Sequence, residues 1–255
     1  MTAQEFDVIV VGSGAAGMVA ALTAAHQGLS AVVVEKAPHF GGSTARSGGG
    51  VWIPNNEILK RDGVTDTKDA ARTYLHSIIG DVVEPERIDT YLERGPEMLS
   101  FVLQNSPLKM CWVPGYSDYY PEAPGGRPAG RSIEPKPFNA RKLGPDEAGL
   151  EPAYGKVPLN VVVMQQDYVR LNQLKRHPRG VLRSLKVGAR TMWAGMRGKN
   201  LVGMGRALIA PLRIALREAG VPVLLNTALT DLFVEDGVVR GIYVRDMTGP
   251  EAADP

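Results

Sequence analysis

Gly12, Gly14 and Gly17 follow the apolar run VIVV and open the segment AAGMVAAL. The spacing is G-x-G-x-x-G, set between a buried strand and a helix, and in that context it can cradle a phosphate. Each glycine has its own task. Gly12 permits a tight turn, Gly14 lets a pyrophosphate approach the main chain, and Gly17 lets the helix lie close on the strand. Ala15 and Ala16 begin the helix, where free N–H groups and a partial positive charge face an anion. The acid that such a cradle wants at the end of the next strand is Glu35, followed by Lys36. A carboxylate there can accept hydrogen bonds from both ribose hydroxyls. It would repel a 2′-phosphate, which argues against NADP. The plain alternative is a glycine-rich turn that binds nothing.

The residues after Glu35 distinguish between nucleotides. KAPHFGGSTARSGGG carries a second glycine pair, Gly41–Gly42, then hydroxyls at Ser43, Thr44 and Ser47, then Gly48, Gly49 and Gly50. Three successive glycines weaken a fold unless something needs bare backbone. Gly42, Ser43, Thr44 and Ser47 can lie along the pyrophosphate and extended chain of FAD. Gly48–Gly50 can then face the flavin ring, where a Cβ would collide with a flat tricycle. This favours FAD over NAD; the competing reading is a flexible surface loop.

These residues need an α/β frame. FDVIVVG and LSAVVVEK are short β-branched runs, and the segment between them is helical and stopped by Gly28. Residues 6–36 thus form a βαβ cradle with parallel strands. TKDAARTYLHSIIG reads as a helix. ERIDTYLERGPEMLSFVLQN reads as one or two more, with Gly95–Pro96 a break or a new start. About residues 104–200 the chain makes an irregular excursion, rich in Pro, Gly and Tyr at first. Residues 201–246 return with a glycine-led helix and three short strands, Val221–Asn226, Ala228–Val234 and Val238–Val244. Asp236–Gly237 is a hairpin signal between the last two. The expected fold is a single Rossmann-like FAD-binding domain over residues 1–255: a parallel sheet with helices plus a small antiparallel hairpin layer, incomplete at its C-terminal side.

Bulk composition narrows the class. Of 255 residues, 44% are hydrophobic and 22% charged, and the formal net charge is +2, which makes no case for nucleic acid as a partner. The single cysteine, Cys111, excludes an internal disulfide and a Cys-based zinc site, so no metal is expected and a reducing cytoplasm fits. The N-terminus lacks the basic region of a signal peptide. No apolar run reaches the roughly 20 residues needed to span a bilayer.

The glycine cradle, Glu35, GGSTARSGGGVWIPNN and GMGRALIAPLRIAL together resemble the fumarate-reductase-type flavoprotein superfamily. Within it, SGGGVWIPNN and YSDYYPEAPGGR resemble the 3-ketosteroid Δ1-dehydrogenases, FAD enzymes that place a 1,2 double bond in ring A of a 3-ketosteroid. The resemblance runs from Phe6 to about Asp246. It implies noncovalent FAD, because the GGSTARSGG segment lacks the histidine that carries flavin covalently in related enzymes. It also implies that the chain matches the N-terminal half of such an enzyme, the other half supplying further active-site groups. In the implied reaction a polarised C3 ketone acidifies C2, a tyrosine takes the C2 proton and a hydride leaves C1 for flavin N5. Tyrosine suits proton transfer in an apolar pocket. The family's flavin-domain tyrosine falls in the run Asp118–Tyr119–Tyr120, with Tyr119 favoured and Tyr120 the alternative. Asp118 is a poor base, since a carboxylate facing an apolar steroid is costly to desolvate. The superfamily's backbone contact to adenine falls on NTALTDL, with Ala228 as the position. Gly203 and Gly205 allow close packing near the cofactor or simply start a helix.

Residues 175–199 carry Lys175, Arg176, Arg179, Arg183, Lys186, Arg190, Arg197 and Lys199 and no acid. Leu182, Leu185, Ala189, Met192 and Met196 recur at helical spacing, with Trp193 beside them. One reading is a helix lying on an anionic membrane surface; the other is a solvated helix whose apolar stripe enters the core. For the whole protein the rival functions are a Δ4-(5α)-ketosteroid dehydrogenase, a fumarate-reductase-like enzyme and a non-catalytic nucleotide-binding module.

Overall fold

The computed structural model describes residues 4–153, 161–172 and 177–248. The first unit is β1 (Val8–Val11), α1 (Ala15–His26) and β2 (Ala31–Val34). A short helix α2 (Gly42–Arg46) and strand β3 (Val51–Trp52) follow. Next comes α3 (Glu57–Arg61), capped by Asn56, whose side-chain oxygen accepts from the N–H groups of Ile58 and Leu59 at 2.8 and 3.0 Å. Two longer helices, α4 (Lys68–Ile79) and α5 (Pro85–Gln104), precede β4 (Met110–Trp112), β5 (Ser132–Pro135) and β6 (Phe138–Asn139). The remainder holds α6 (Gln165–Leu171), α7 (Pro178–Met196), β7 (Leu201–Val202), α8 (Met204–Glu218), β8 (Val223–Leu224), β9 (Thr227–Glu235) and β10 (Val238–Asp246).

β1, β2 and β8 form a parallel sheet in that spatial order, Val8 facing Ala31 and Val33 facing Val223. β2 is central and wholly buried, as a parallel strand covered on both faces must be. β1 pairs on one side only among the described residues, and Val11 at its end is 53% exposed. α8 packs on α1 and α2, and its buried side chains, from Ala207 to Leu216, form the middle of the core with Met18, Leu22 and Phe40. Gly205 makes that approach feasible: a Cβ there would lie 1.8 Å from the Thr44 carbonyl oxygen. The antiparallel hairpin of β9 and β10 turns at Asp236 and Gly237, both at positive φ (51° and 75°), as a two-residue type I′ turn requires.

Two expectations need correction. Gly95–Pro96 does not break the chain into two helices: α5 runs through both. Pro96 removes the N–H that the Leu92 carbonyl would accept from. However, Ile88, Leu92, Gly95, Leu99 and Val102 are buried along one face, and their packing outweighs the lost bond. The excursion over 104–200 is not irregular throughout, because β4 and β5 join β3 in an antiparallel sheet, and α6 and α7 follow. No helix among the described residues is long and apolar enough to cross a membrane.

Candidate active site

The turn after β1 has the geometry its glycines anticipate. Gly12 sits at φ 98°, where a side chain would be strained, and no atom lies within 4 Å of where its Cβ would be. A Cβ on Gly17 would lie 2.0 Å from the Gly12 carbonyl oxygen, so α1 can rest against β1 only without one. Gly14 caps α1 without a side-chain bond, and no acid enters the first turn. Thr44 reaches across from α2, its hydroxyl accepting from the Ala15 N–H at 3.2 Å. The first-turn N–H groups of Ala16 and Gly17 have no intrahelical acceptor by the geometry of any α-helix.

Glu35 closes this turn from the end of β2. Its carboxylate accepts from the Ser13 N–H at 2.9 Å, the Ser13 hydroxyl at 2.6 Å and the Ala37 N–H at 3.0 Å. Burial raises the Glu35 carboxyl pKa, but the Ser13 and Ala37 bonds and the Lys36 charge outweigh it, leaving it below the ordinary 4.5. A carboxylate has about four acceptor sites, so one remains for a ligand. Ser13, buried at 0% exposure, fills a position that the glycine motif leaves open to any residue, so the motif alone does not single it out. Its hydroxyl also accepts from the Gly41 N–H at 3.0 Å and so ties the two glycine segments together. Lys36 and Ser43 are exposed and hold no side-chain bond among the described residues. The start of β9 lies against the same strand end, with the Thr227 N–H donating to the Glu35 carbonyl at 2.8 Å; Ala228 is the next residue along.

The three glycines of the second segment face three different neighbours. A Cβ on Gly48 would meet the Gln165 side-chain oxygen at 2.8 Å. Gly49, at φ 70°, packs on the main chain of Met204 and Gly205; a Cβ there would lie 2.6 Å from the Met204 carbonyl carbon. Gly50 looks into open space. Together with Ser47 they form one wall of a cavity of about 460 Å³. Its other walls include Trp52, Tyr74, Val113, Tyr116, Tyr119 and Gln165. The fold therefore brings the triple glycine and Tyr119, about 70 residues apart in sequence, to one opening. Tyr120 is not on its wall; its N–H donates to the buried Tyr74 hydroxyl at 3.2 Å. Tyr119 is 90% exposed.

A buried ionic cluster carries the tyrosine loop. Asp118 accepts from the Trp52 indole N–H at 2.9 Å and the Arg127 N–H at 3.0 Å, and pairs with Arg131. Arg131 is fully buried, pairs also with Asp66 at 3.0 Å, and lies over the Trp52 and Tyr74 rings at 5.9 and 5.6 Å. Trp52 stacks on Tyr91, whose hydroxyl donates to the Trp52 carbonyl and whose pKa is pushed up to about 12 by burial. Asp118 borders the cavity too, but its carboxylate is taken up by Trp52, Arg127 and Arg131, so it is an anchor of the fold rather than a base. The pairing of Asp66 with Arg131 carries no local sequence signal, since the two lie 65 residues apart. The Cys111 thiol is raised to about 11 by burial and is a poor nucleophile.

On α7, Leu182, Leu185, Met192, Trp193 and Met196 are each more than half exposed, while Gly180, Val187 and Ala194 face inward. The apolar stripe therefore does not enter the core. Arg183 and Arg190 are paired with buried Asp167 of α6, at 2.5 and 3.0 Å. Lys175 and Arg176 lie outside the described residues.

Residues 7–254 match the family model described as FAD binding domain. The chain belongs to this family. FAD is accordingly the cofactor of this FAD-binding domain, and its residues fit the group. Gly12 and Gly50 leave backbone-lined space, the first turn of α1 presents the Ala16 and Gly17 N–H groups, and Glu35 keeps an acceptor site. The FAD-binding domain is 84% identical over its whole length to the 3-oxosteroid 1-dehydrogenase of Mycobacterium tuberculosis H37Rv, of which it covers 45%. It is 82% identical to that of Mycolicibacterium smegmatis, again covering 45%. Among solved structures it resembles the 3-ketosteroid delta1-dehydrogenase from Sterolibacterium denitrificans in complex with 1,4-androstadiene-3,17-dione. There the TM-score is 0.84 and the identity 38%, over 94% of this chain and 44% of that one. The chain spans just under half the length of the curated relatives it matches.

Proposed function

We propose that the whole protein is an FAD-dependent 3-oxosteroid 1-dehydrogenase of steroid catabolism and that this chain is its FAD-binding domain. The observation that carries the reading is the shared cavity, with bare Gly50 on one wall and Tyr116 and Tyr119 on another. The names borne by relatives of 82–84% identity support the substrate class.

In this reading the turn Gly12–Gly17, with Ala15 and Ala16, receives the diphosphate, and Glu35 with Lys36 receives the ribose. Gly42, Ser43, Thr44 and Ser47 run beside the diphosphate and ribityl chain, Gly48–Gly50 back the ring system, and Ala228 meets the adenine through its main chain. Binding is noncovalent, for no histidine stands between Gly41 and Gly50. When bound, FAD supplies the acceptor for the hydride that leaves steroid C1. Tyr119, a single oxygen that can donate or accept, supports the tyrosine that takes the C2 proton. Tyr116 and Trp52 give the apolar rings a flat surface.

A second contact belongs to α7. Its exposed apolar stripe is flanked along one side by Arg179, Lys186 and Arg197, the last over the Trp193 ring at 4.6 Å. This supports peripheral seating on an anionic membrane, convenient for an apolar substrate.

The test incubates the full-length protein with FAD, an artificial electron acceptor and a 3-keto-4-ene steroid. Formation of the 1,4-diene is expected. No diene, with turnover of a 5α-reduced steroid or of fumarate instead, would replace this reading with one of its rivals.

A further inference from the structure

Gln165 is the first residue of α6, and its main chain is fixed. Its N–H donates to Glu134 at 2.6 Å, and the Gln166 N–H donates to the other oxygen of that carboxylate at 3.1 Å. Glu134 is fully buried in β5, so α6 is bolted to the sheet that carries Trp52. From the other side, Asp167 ties α6 to α7 through Arg183 and Arg190. The Gln165 side chain lies over bare Gly48 and lines the cavity, yet its amide makes no hydrogen bond among the described residues.

A rigidly mounted but unpaired carboxamide beside open space points to a ligand group that both donates and accepts. The neighbouring polar side chain on this wall is committed: the Ser47 hydroxyl donates to the Thr44 carbonyl at 2.7 Å and accepts from the Gly49 N–H at 3.0 Å. A steroid has an acceptor at its ketone but no donor in ring A. The pyrimidine side of a flavin is an imide, with an N–H between two carbonyls. A carboxamide matches it, its oxygen accepting from the N–H while its NH₂ donates to a carbonyl.

We propose that Gln165 binds the flavin through this imide edge, with Gly48 left without a side chain so that the amide can lie flat on the wall. The inference rests on the reading that the ring system occupies the Gly48–Gly50 wall.

The experiment uses the full-length protein and its Gln165→Leu and Gln165→Glu variants, loaded with FAD. The readouts are the FAD dissociation constant, the flavin absorption bands and the midpoint potential. Gln165→Leu is expected to weaken FAD binding about tenfold, the value of one ligand hydrogen bond left unmade, and to shift the absorption bands. Gln165→Glu keeps the size, loses the donor and adds a negative charge, so the midpoint potential should move to a more negative value. If both variants keep the wild-type spectrum, potential and FAD affinity and only the KM for steroid rises, Gln165 serves the substrate and the inference fails. In that case the wild-type protein still carries flavin and still forms the 1,4-diene. Wild-type protein that takes up no flavin at all would overturn the underlying reading together with the inference.

Discussion

The indole N–H of Trp52 donates to the Asp118 carboxylate at 2.9 Å. This bond joins the strand that leaves the triple glycine to the loop that carries Tyr119. Both ends are reinforced, Trp52 by Tyr91 and Asp118 by Arg131. That bond, with its acceptor held in place by Arg131, therefore fixes the glycine wall against the tyrosine wall.

Asp118→Ala should consequently destabilise the protein by about 3–5 kcal/mol, because it leaves the Arg131 guanidinium buried with one partner fewer. Chemical denaturation of the FAD-loaded protein measures it. A midpoint equal to wild type would mean that the cluster contributes no net stability.

The glycines separate into those that the fold needs and those that the ligand needs. Gly17→Ala forces a Cβ against the Gly12 carbonyl and should lower stability by at least about 1–3 kcal/mol. Gly50→Ala meets open space, so the melting temperature should hold while FAD affinity falls. Thermal melts of the apoprotein together with FAD titration read both effects.

Glu35 predicts an acid limit. Its folded-state carboxyl lies below the ordinary 4.5, so the stabilisation it provides is fully present above that value and is lost as pH falls through the lowered one. Cofactor retention should be constant from neutral pH down to about 4.5 and decline below it. Glu35→Gln should remove this dependence on acid while weakening FAD binding at neutral pH, as followed by flavin release against pH.

Tyr119 and Tyr120 differ in where they point, and their phenylalanine variants should differ as well. Tyr119→Phe is expected to lower kcat for the 3-ketosteroid about 100-fold, within the usual range for losing a group that assists proton transfer. Tyr120→Phe should stay near wild type, since Tyr120 meets Tyr74 through its main-chain N–H. Steady-state kinetics of the full-length enzyme separates the two.

The exposed face of α7 is tested by flotation with vesicles. Binding to anionic vesicles should exceed binding to neutral ones and weaken with salt. Replacing Leu182, Leu185 and Met196 with Gln should abolish it with little loss of stability, because all three side chains are exposed in the native state. Equal recovery on anionic and neutral vesicles would refute the membrane contact.

The cradle was legible from residues alone because its physics is local. Gly12, Gly14, Gly17 and Glu35 lie within 24 residues, on a strand, a turn, a helix and the next strand, where spacing dictates geometry. The Asp236–Gly237 hairpin was legible for the same reason: its φ angles belong to those two residues. The continuity of α5 through Pro96 was not, since it depends on side chains that α5 buries against α4 and the central core. The same holds for Ser13, Arg131, Asp66 and Gln165. Each takes its role from a partner on another element: Ser13 from Glu35, Arg131 from Asp66 and Asp118, Gln165 from Glu134 and Gly48. The stripe on α7 shows the limit most plainly. Helical spacing establishes that an apolar face exists, but only the packing of α7 through Gly180, Val187 and Ala194 decides that this face looks outward.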